Sequence, residues 1–215
     1  MKIYTRDGSL KQGTRCGLGP ASFLQANATP AVTLYRPLGV INYTALSTLA
    51  MTANSMRAQP FVSPCYPITL DTIRLTVTTQ AAGKVMLVGI YDNINVNDSI
   101  SMYPGNLLWS SSELSTAGTA PFTLDSTGIG LVLLPGRLYW VVVWGNTTAT
   151  FRAPAIGALP VTLGTTILGT SNIQGWTVAA TYTAGVSVLQ PTFPATGVAS
   201  VVVTTPGAFA LFLPA

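Results

Sequence analysis

Few residues in this chain could carry out catalysis or bind a metal. The 215 residues include six Asp and Glu, two Cys and no His. Without histidine, Ser-His-Asp and Cys-His nucleophile systems and His-ligated zinc sites are excluded, and two cysteines cannot build a Cys-only zinc site. Cys16 and Cys65 form no CxxC pair, and the chain has no GxxxxGK[ST] phosphate loop. The sequence therefore predicts a protein that is not an enzyme and needs no cofactor.

The acidic residues allow two further hypotheses, and we favour neither. Paired carboxylates could support glycoside hydrolysis, but nothing in the sequence places two of them at the required separation. Residues 92–98 concentrate Asp and Asn oxygen atoms, as a calcium site does. An EF-hand loop starting at Asn93 would, however, put Asp98 at the glycine position and Pro104 at the glutamate position. We interpret the segment as an exposed hairpin loop with Asx turns and predict no metal site.

Aromatic residues near predicted loops suggest a binding surface. Their rings could stack on a saccharide, and the alternative is burial in the core or in a subunit interface. Tyr103 and Trp176 are our candidates for contact with a receptor, whereas Trp140 is predicted to lie in the core. The other aromatic residues considered are Trp109, Trp144 and Tyr182.

The charge pattern separates the first 36 residues from the rest. Only 7% of residues are charged, against about 25% in ordinary soluble domains, and 48% are hydrophobic. So few charges predict a protein that hides much of its surface in a permanent assembly. The net charge of +4 comes entirely from residues 1–36, which hold one acid, Asp7, and five cations: Lys2, Arg6, Lys11, Arg15 and Arg36. Such a basic segment can meet an acidic protein surface or nucleic acid, or be a solvated tail.

The sequence predicts no membrane insertion and no secretion signal. The first residues lack an apolar stretch of signal-peptide length, and no run of 18 apolar residues occurs in the chain.

Residues 134–145 predict the central structural element. A Pro135-Gly136 turn is followed by seven strand-forming residues, 138–144. All seven are apolar or aromatic, so both faces of the strand are apolar. Because neither face of this strand suits water, we expect an inner strand of a sandwich, covered by a second sheet or by a neighbouring subunit.

The rest of the chain is organised around this strand. Residues 1–45 lack periodicity and are broken by Gly and Pro, which predicts an extended N-terminal arm, and residues 45–56 could form a helix or a first strand. Residues 46–215 are predicted to form a β-sandwich body. Its strands are expected at residues 68–79, 85–91, 106–110, 121–124, 129–134, 147–152, 200–204 and 208–213, with a strand and a loop over 174–182 and 186–189, a loop at 92–101 and a turn at Pro104-Gly105. Residues 68–79 alternate, which predicts that Ile73, Leu75 and Val77 face inward.

Three motifs in order resemble a recurring module of tailed-phage virion proteins. They are Leu87-Val88-Gly89-Ile90-Tyr91-Asp92, Pro104-Gly105-Asn106-Leu107-Leu108 and Leu134-Pro135-Gly136-Arg137-Leu138-Tyr139-Trp140. The similarity covers about residues 45–152. It implies a jelly-roll-like antiparallel β-sandwich of phage fibres, tail tips or capsid decorations, commonly a homotrimer, and it carries no catalytic residues. Residues 153–199 and the arm have no counterpart in the module.

The expected function is that of a phage virion structural protein, made in the host cytoplasm and exposed on the particle. A short fibre or tail receptor-binding protein is preferred, with a capsid decoration protein as the alternative and a free carbohydrate-binding module third. The expected partners are further copies of the chain, a host cell-surface glycan or protein, and other virion proteins docked by the arm. Docking onto a virion protein explains the charge of the arm with fewer assumptions than nucleic-acid binding.

Overall fold

The chain folds as an all-β protein in a computed structural model, as the sequence predicts. The structure describes residues 23–26, 33–36, 46–63, 67–96, 99–154, 175–196, 198–200 and 210–212. Within these ranges there is no helix, every strand pairing is antiparallel, and no helical segment could cross a membrane. Lys2, Arg6, Lys11, Arg15 and both cysteines lie outside the described residues.

Sixteen strands are described in these ranges. They are β1 (Phe23–Ala26), β2 (Thr33–Arg36), β3 (Leu46–Ala50), β4 (Ser55–Val62), β5 (Ile68–Leu70), β6 (Thr72–Thr79), β7 (Val85–Val96), β8 (Ser99–Ser110), β9 (Leu114–Ser115), β10 (Phe122–Ser126), β11 (Leu131–Leu133), β12 (Leu138–Gly145), β13 (Thr150–Pro154), β14 (Gly175–Ala179), β15 (Val198–Ser200) and β16 (Ala210–Phe212).

The strands form two seven-stranded sheets and one small pair. Sheet I has the order β1-β2-β16-β6-β13-β3, with β10 also paired to β6. Sheet II has the order β15-β14-β4-β12-β7-β8, with β9 also paired to β7, and β5 pairs with β11. β12 is therefore an inner strand, as predicted.

Alternation along β12 divides the apolar residues into two cores. Val141 and Val143 join the inner core between the sheets, which also holds Ile73, Leu75 and Val77 of β6. Trp140, Val142 and Trp144 face the other way, into a second apolar cluster on the outer face of sheet II. The predicted inward-facing residues of β6 and the two faces of β12 are thus confirmed.

The outer face of sheet II is covered by the chain itself. Residues 180–196, which we call the covering segment, contribute Tyr182, Leu189 and Phe193 to the second cluster. Gly89 of β7 permits the close approach, because a Cβ atom there would lie 2.4 Å from Leu189 Cδ1. Because the covering segment buries the second apolar face of β12, that face does not indicate a contact with another subunit.

The predicted loop at residues 92–101 and the predicted turn at Pro104-Gly105 are wrong. β7 continues to Val96 and β8 begins at Ser99, so both segments belong to one long hairpin with register shifts between residues 90 and 95. Asp92 accepts hydrogen bonds from the backbone N–H and the side chain of Asn106. Turn-forming residues here produce bulges in paired strands, because a side chain replaces a backbone partner.

The described residues of the arm lie in strands, and segment 45–56 contains strand residues on both sides of a turn. β1 pairs with β2, and β2 pairs with β16 in sheet I, so Arg36 ends a strand of that sheet. Segment 45–56 holds β3 and the start of β4, which decides against a helix. Asn54 makes the turn between them with a φ of 60°, in the left-handed region that Asn tolerates better than most residues.

Candidate binding surface

The end of the β7–β8 hairpin folds over the outer face of sheet II. Trp176 lies in β14, which is four strand positions from β8, or about 19 Å in a flat sheet. Its indole Nε1 nevertheless donates a hydrogen bond to the carbonyl oxygen of Met102 at 2.8 Å. The hairpin must therefore bend towards β14, and the bulges between residues 90 and 95 supply the bend.

The bend brings together the two residues that the sequence singled out for receptor contact. The ring centroids of Tyr103 and Trp176 are 4.9 Å apart, with an interplanar angle of 59°. Phe193 packs edge-on against Tyr103 at 5.6 Å, and the Tyr103 hydroxyl donates to the Pro194 carbonyl oxygen. Both predicted residues are half-buried, and Met102 beside them is 41% exposed. We call Tyr103, Trp176 and Met102 the aromatic surface.

The other aromatic candidates are packed in the cores. Trp144 and Tyr182 are 6% and 5% exposed and meet edge to face, and the Trp144 indole donates to the Ala180 carbonyl oxygen at 2.9 Å. Trp109 is half-buried against the inner core, and Trp140 is fully buried as predicted. Burial in the core, the alternative to saccharide contact, is therefore observed for Trp140, Trp144 and Tyr182, and Trp109 packs against the core with part of its side chain exposed.

The covering segment is fixed at its start by two polar side chains. Asn54 accepts hydrogen bonds from the backbone N–H groups of Ala180 and Tyr182, at its carbonyl and side-chain oxygen atoms. Glu113 Oε1 accepts from the Tyr182 hydroxyl and from the Gly185 N–H, each at 2.7 Å. These bonds hold the first turn of the segment against sheet II.

The far end of the covering segment is attached to the hairpin. The Tyr91 hydroxyl donates to the Gln190 carbonyl oxygen at 2.8 Å. Backbone hydrogen bonds from Leu107 N–H to the Pro191 carbonyl oxygen and from Phe193 N–H to the Gly105 carbonyl oxygen pair the segment with β8. Hairpin and covering segment therefore support each other beneath the aromatic surface.

Burial raises the pKa of the Tyr91 hydroxyl, and burial together with the neighbouring Glu113 raises the pKa of Tyr182. Both hydroxyls should stay protonated where exposed tyrosines ionise, near pH 10. Above that pH the native state retains these protons and the unfolded chain loses them, so the free energy of unfolding should fall as pH rises.

Tyrosine absorbance during an alkaline titration measures the ionisation of the tyrosine hydroxyl groups. We expect Tyr91 and Tyr182 to ionise at higher pH in the native state than in the unfolded chain, and Tyr182→Phe to reduce the alkaline loss of stability. Native-state ionisation of all eight tyrosines near pH 10 would contradict the assignment.

The carboxylates of the described residues make structural contacts. Asp125 receives a bidentate hydrogen bond from Arg74 across β10 and β6, and Asp71 accepts from Thr72 at 2.7 Å. No three His, Cys, Asp or Glu residues group together in the described part of the chain as metal ligands would. Asp98 lies outside the described residues, so the predicted loop chemistry is described only for Asp92.

The aromatic surface lies in an uncharged part of the chain. Residues 99–112 and 175–200 contain no Asp, Glu, Lys or Arg. The exposed polar side chains within these two ranges are neutral, and the carboxylate of Asp92 contacts them by accepting hydrogen bonds from Asn106. Asn106 and Thr192 are joined by an antiparallel bridge between β8 and the covering segment. The surface can therefore offer ring faces and uncharged hydrogen-bonding groups.

Sequence reasoning missed Phe193 and Pro194, which support Tyr103 from below. The only local signal is that Pro191 and Pro194 flank Thr192 and Phe193, since proline favours an extended backbone in the residue before it.

Comparison with protein-family models gives no match, and a search of curated proteins finds no similar sequence.

Proposed function

We propose that the chain is a non-enzymatic virion structural protein of a tailed phage, acting as a short fibre or tail receptor-binding protein. The motifs that resemble the phage module support this proposal, because they lie in three adjacent strands of sheet II. The first motif is in β7, the second in β8, and the third is the turn leading into β12. The resemblance thus involves one contiguous structural unit.

The observation that carries the receptor-binding role is the aromatic surface. Receptor contact requires side chains that are accessible and held in place, and Tyr103 and Trp176 meet both conditions. A charge-poor body with such a surface suits a protein assembled into a particle with one face outward. We propose a homotrimer anchored to other virion proteins through the basic N-terminal residues.

Exposed apolar side chains elsewhere favour capsid decoration as the second candidate. Val132 and Leu134 are 53% and 44% exposed, and Val186 and Val188 are 74% and 68% exposed. Apolar side chains of this kind could contact neighbouring capsid subunits, which is how a decoration protein would stabilise the head.

Immunogold labelling of purified particles tests the location. Antibody against the body should label tails, and particles lacking the gene provide the control. Labelling of heads would contradict the fibre role and support decoration, and an unlabelled particle would contradict both.

A truncation tests the anchor without disturbing sheet I. Removal of residues 1–22 eliminates Lys2, Arg6, Lys11 and Arg15 but keeps β1 and β2. We expect the truncated protein to keep the wild-type circular dichroism spectrum and to be missing from particles. Normal incorporation would show that the anchor lies elsewhere.

A further inference from the structure

We propose that the aromatic surface binds a neutral glycan, with an uncharged sugar ring lying against Tyr103 and Trp176. This inference rests on the proposed function and names the chemical class of the receptor. The C–H groups of a pyranose ring form an apolar face, which suits the electron-rich face of an aromatic ring. A site of this kind needs ring faces together with a few neutral polar groups.

The two rings are held in position before any ligand arrives. The Trp176 Nε1–H and the Tyr103 hydroxyl are engaged by the backbone carbonyl oxygen atoms of Met102 and Pro194. Phe193 supports Tyr103 edge-on. Their polar atoms are therefore occupied within the protein, and binding would use the ring faces. A surface fixed in this way loses little conformational entropy when a ligand binds.

The absence of charge selects the class of glycan. Recognition of sialic acid, uronate, sulfate or phosphate groups generally uses Arg or Lys. The described cations are Arg36, Arg57, Arg74, Lys84, Arg137 and Arg152, and none belongs to the hairpin end, β14 or the covering segment. Arg57, which pairs with Thr177 from the neighbouring strand β4, donates a hydrogen bond to Thr52 Oγ1. Exposed Asn106, Gln190, Thr192 and Thr196 can instead exchange neutral hydrogen bonds with sugar hydroxyl groups.

The small extent of the surface favours a glycan over a protein receptor. A stable protein interface buries about 800 Å² on each partner. The aromatic surface consists of two half-buried rings and one methionine, which matches one or two sugar rings.

The test is a glycan array with wild-type protein, followed by calorimetry with the neutral oligosaccharide that binds best. The array contains neutral hexose and N-acetylhexosamine oligosaccharides alongside sialylated, sulfated and uronate-containing ones. We expect binding to the neutral members only. Tyr103→Ala and Trp176→Ala should each weaken binding at least about 10-fold, as expected for residues central to a site.

Matched variants separate ring stacking from misfolding. Tyr103→Phe keeps the ring and its contact with Phe193 but loses the hydroxyl bond to Pro194, so it should weaken binding less than Tyr103→Ala does. Met102→Glu changes an exposed side chain and should weaken binding at least about 5-fold while the fold persists. Val132→Ser, in β11, is the distant control and should bind as wild type does.

Several results would overturn the proposal. They are binding confined to anionic glycans, no binding to any glycan, neutral binding that the alanine and glutamate variants leave unchanged, and cell binding that protease treatment of the host abolishes. Sedimentation in which Met102→Glu dissociates an oligomer would show that a second copy covers the surface.

A failure of the proposed binding surface can be distinguished from a failure of the proposed function. If wild type and Trp176→Ala inhibit phage adsorption equally, the receptor-binding role stands and the assigned surface is wrong. If neutral glycans bind as expected but particles are labelled on their heads, the surface stands and the fibre role is wrong.

Discussion

Trp140→Ala should lower the free energy of unfolding by about 3–5 kcal/mol, which is the largest effect that we expect from a single substitution. Trp140 is fully buried in the second apolar cluster, and its indole Nε1 donates to the side-chain oxygen of Asn93 at 3.0 Å. The substitution leaves a cavity and removes the indole donor at the point where β7 bends. Because small domains are stable by about 5–15 kcal/mol, the loss is a large fraction of the total.

Urea denaturation followed by circular dichroism measures this effect, with the slope of the transition compared between variants. Trp140→Phe keeps most of the apolar volume and should retain part of the lost stability. Leu134→Ala, an exposed position before β12, should stay within about 0.5 kcal/mol of wild type. A Trp140→Ala midpoint equal to that of Leu134→Ala would show that this face of β12 is not a core.

Gly145→Ala should lower the free energy of unfolding by about 1–3 kcal/mol. A Cβ atom at Gly145 would lie 2.5 Å from the Val85 carbonyl oxygen and 2.8 Å from Met86 Cα. Both atoms belong to the backbone of β7, so the strands themselves must move apart. The Gly145 carbonyl oxygen also accepts a hydrogen bond from the Asn54 N–H at 2.9 Å. Displacement of Gly145 would therefore strain the turn at Asn54, which holds the start of the covering segment.

Gly89→Ala is the matched control for this prediction. Its Cβ atom would first meet Leu189 Cδ1, the end of a flexible side chain, at 2.4 Å. We therefore expect a smaller loss of stability than for Gly145→Ala, together with faster amide exchange in the covering segment. A greater loss of stability for Gly89→Ala than for Gly145→Ala in the same urea experiment would contradict this prediction.

Residues 138–144 and 68–79 show how far local pattern predicts this fold. Seven strand formers without a polar face require burial on both sides, and the clean alternation of residues 73–78 assigns one face of β6 to the core. Both predictions depend on neighbouring residues alone, and both are confirmed.

The covering segment shows where local pattern fails. Residues 180–196 have the Pro, Thr and Ala composition of a loop and no apolar period. Their place is fixed by distant partners, such as the Asn54 side chain for Tyr182 and the Tyr91 hydroxyl for Gln190. A sequence carries no local signal for contacts of this range, so the cover of sheet II could not be predicted.

Two members of the candidate site, Tyr103 and Trp176, were predicted from the sequence, whereas Met102, the supporting residues and the geometry were not. Tyr103 and Trp176 stand out as aromatic residues near expected loops, and their role as a receptor contact stays a prediction. Their contact depends on the bend of the hairpin, which arises from bulges near Asp92 and Gly105. The same residues predicted a loop, because Asp, Asn, Gly and Pro favour turns and bulges alike.

Competition for adsorption tests the proposed function most directly. Host cells are incubated with purified full-length protein before the phage is added, and unadsorbed phage is counted. We predict that saturating wild-type protein reduces adsorption strongly, whereas an unrelated β-sandwich protein of similar size has no effect. Undiminished adsorption at saturating wild-type protein would contradict the receptor-binding role.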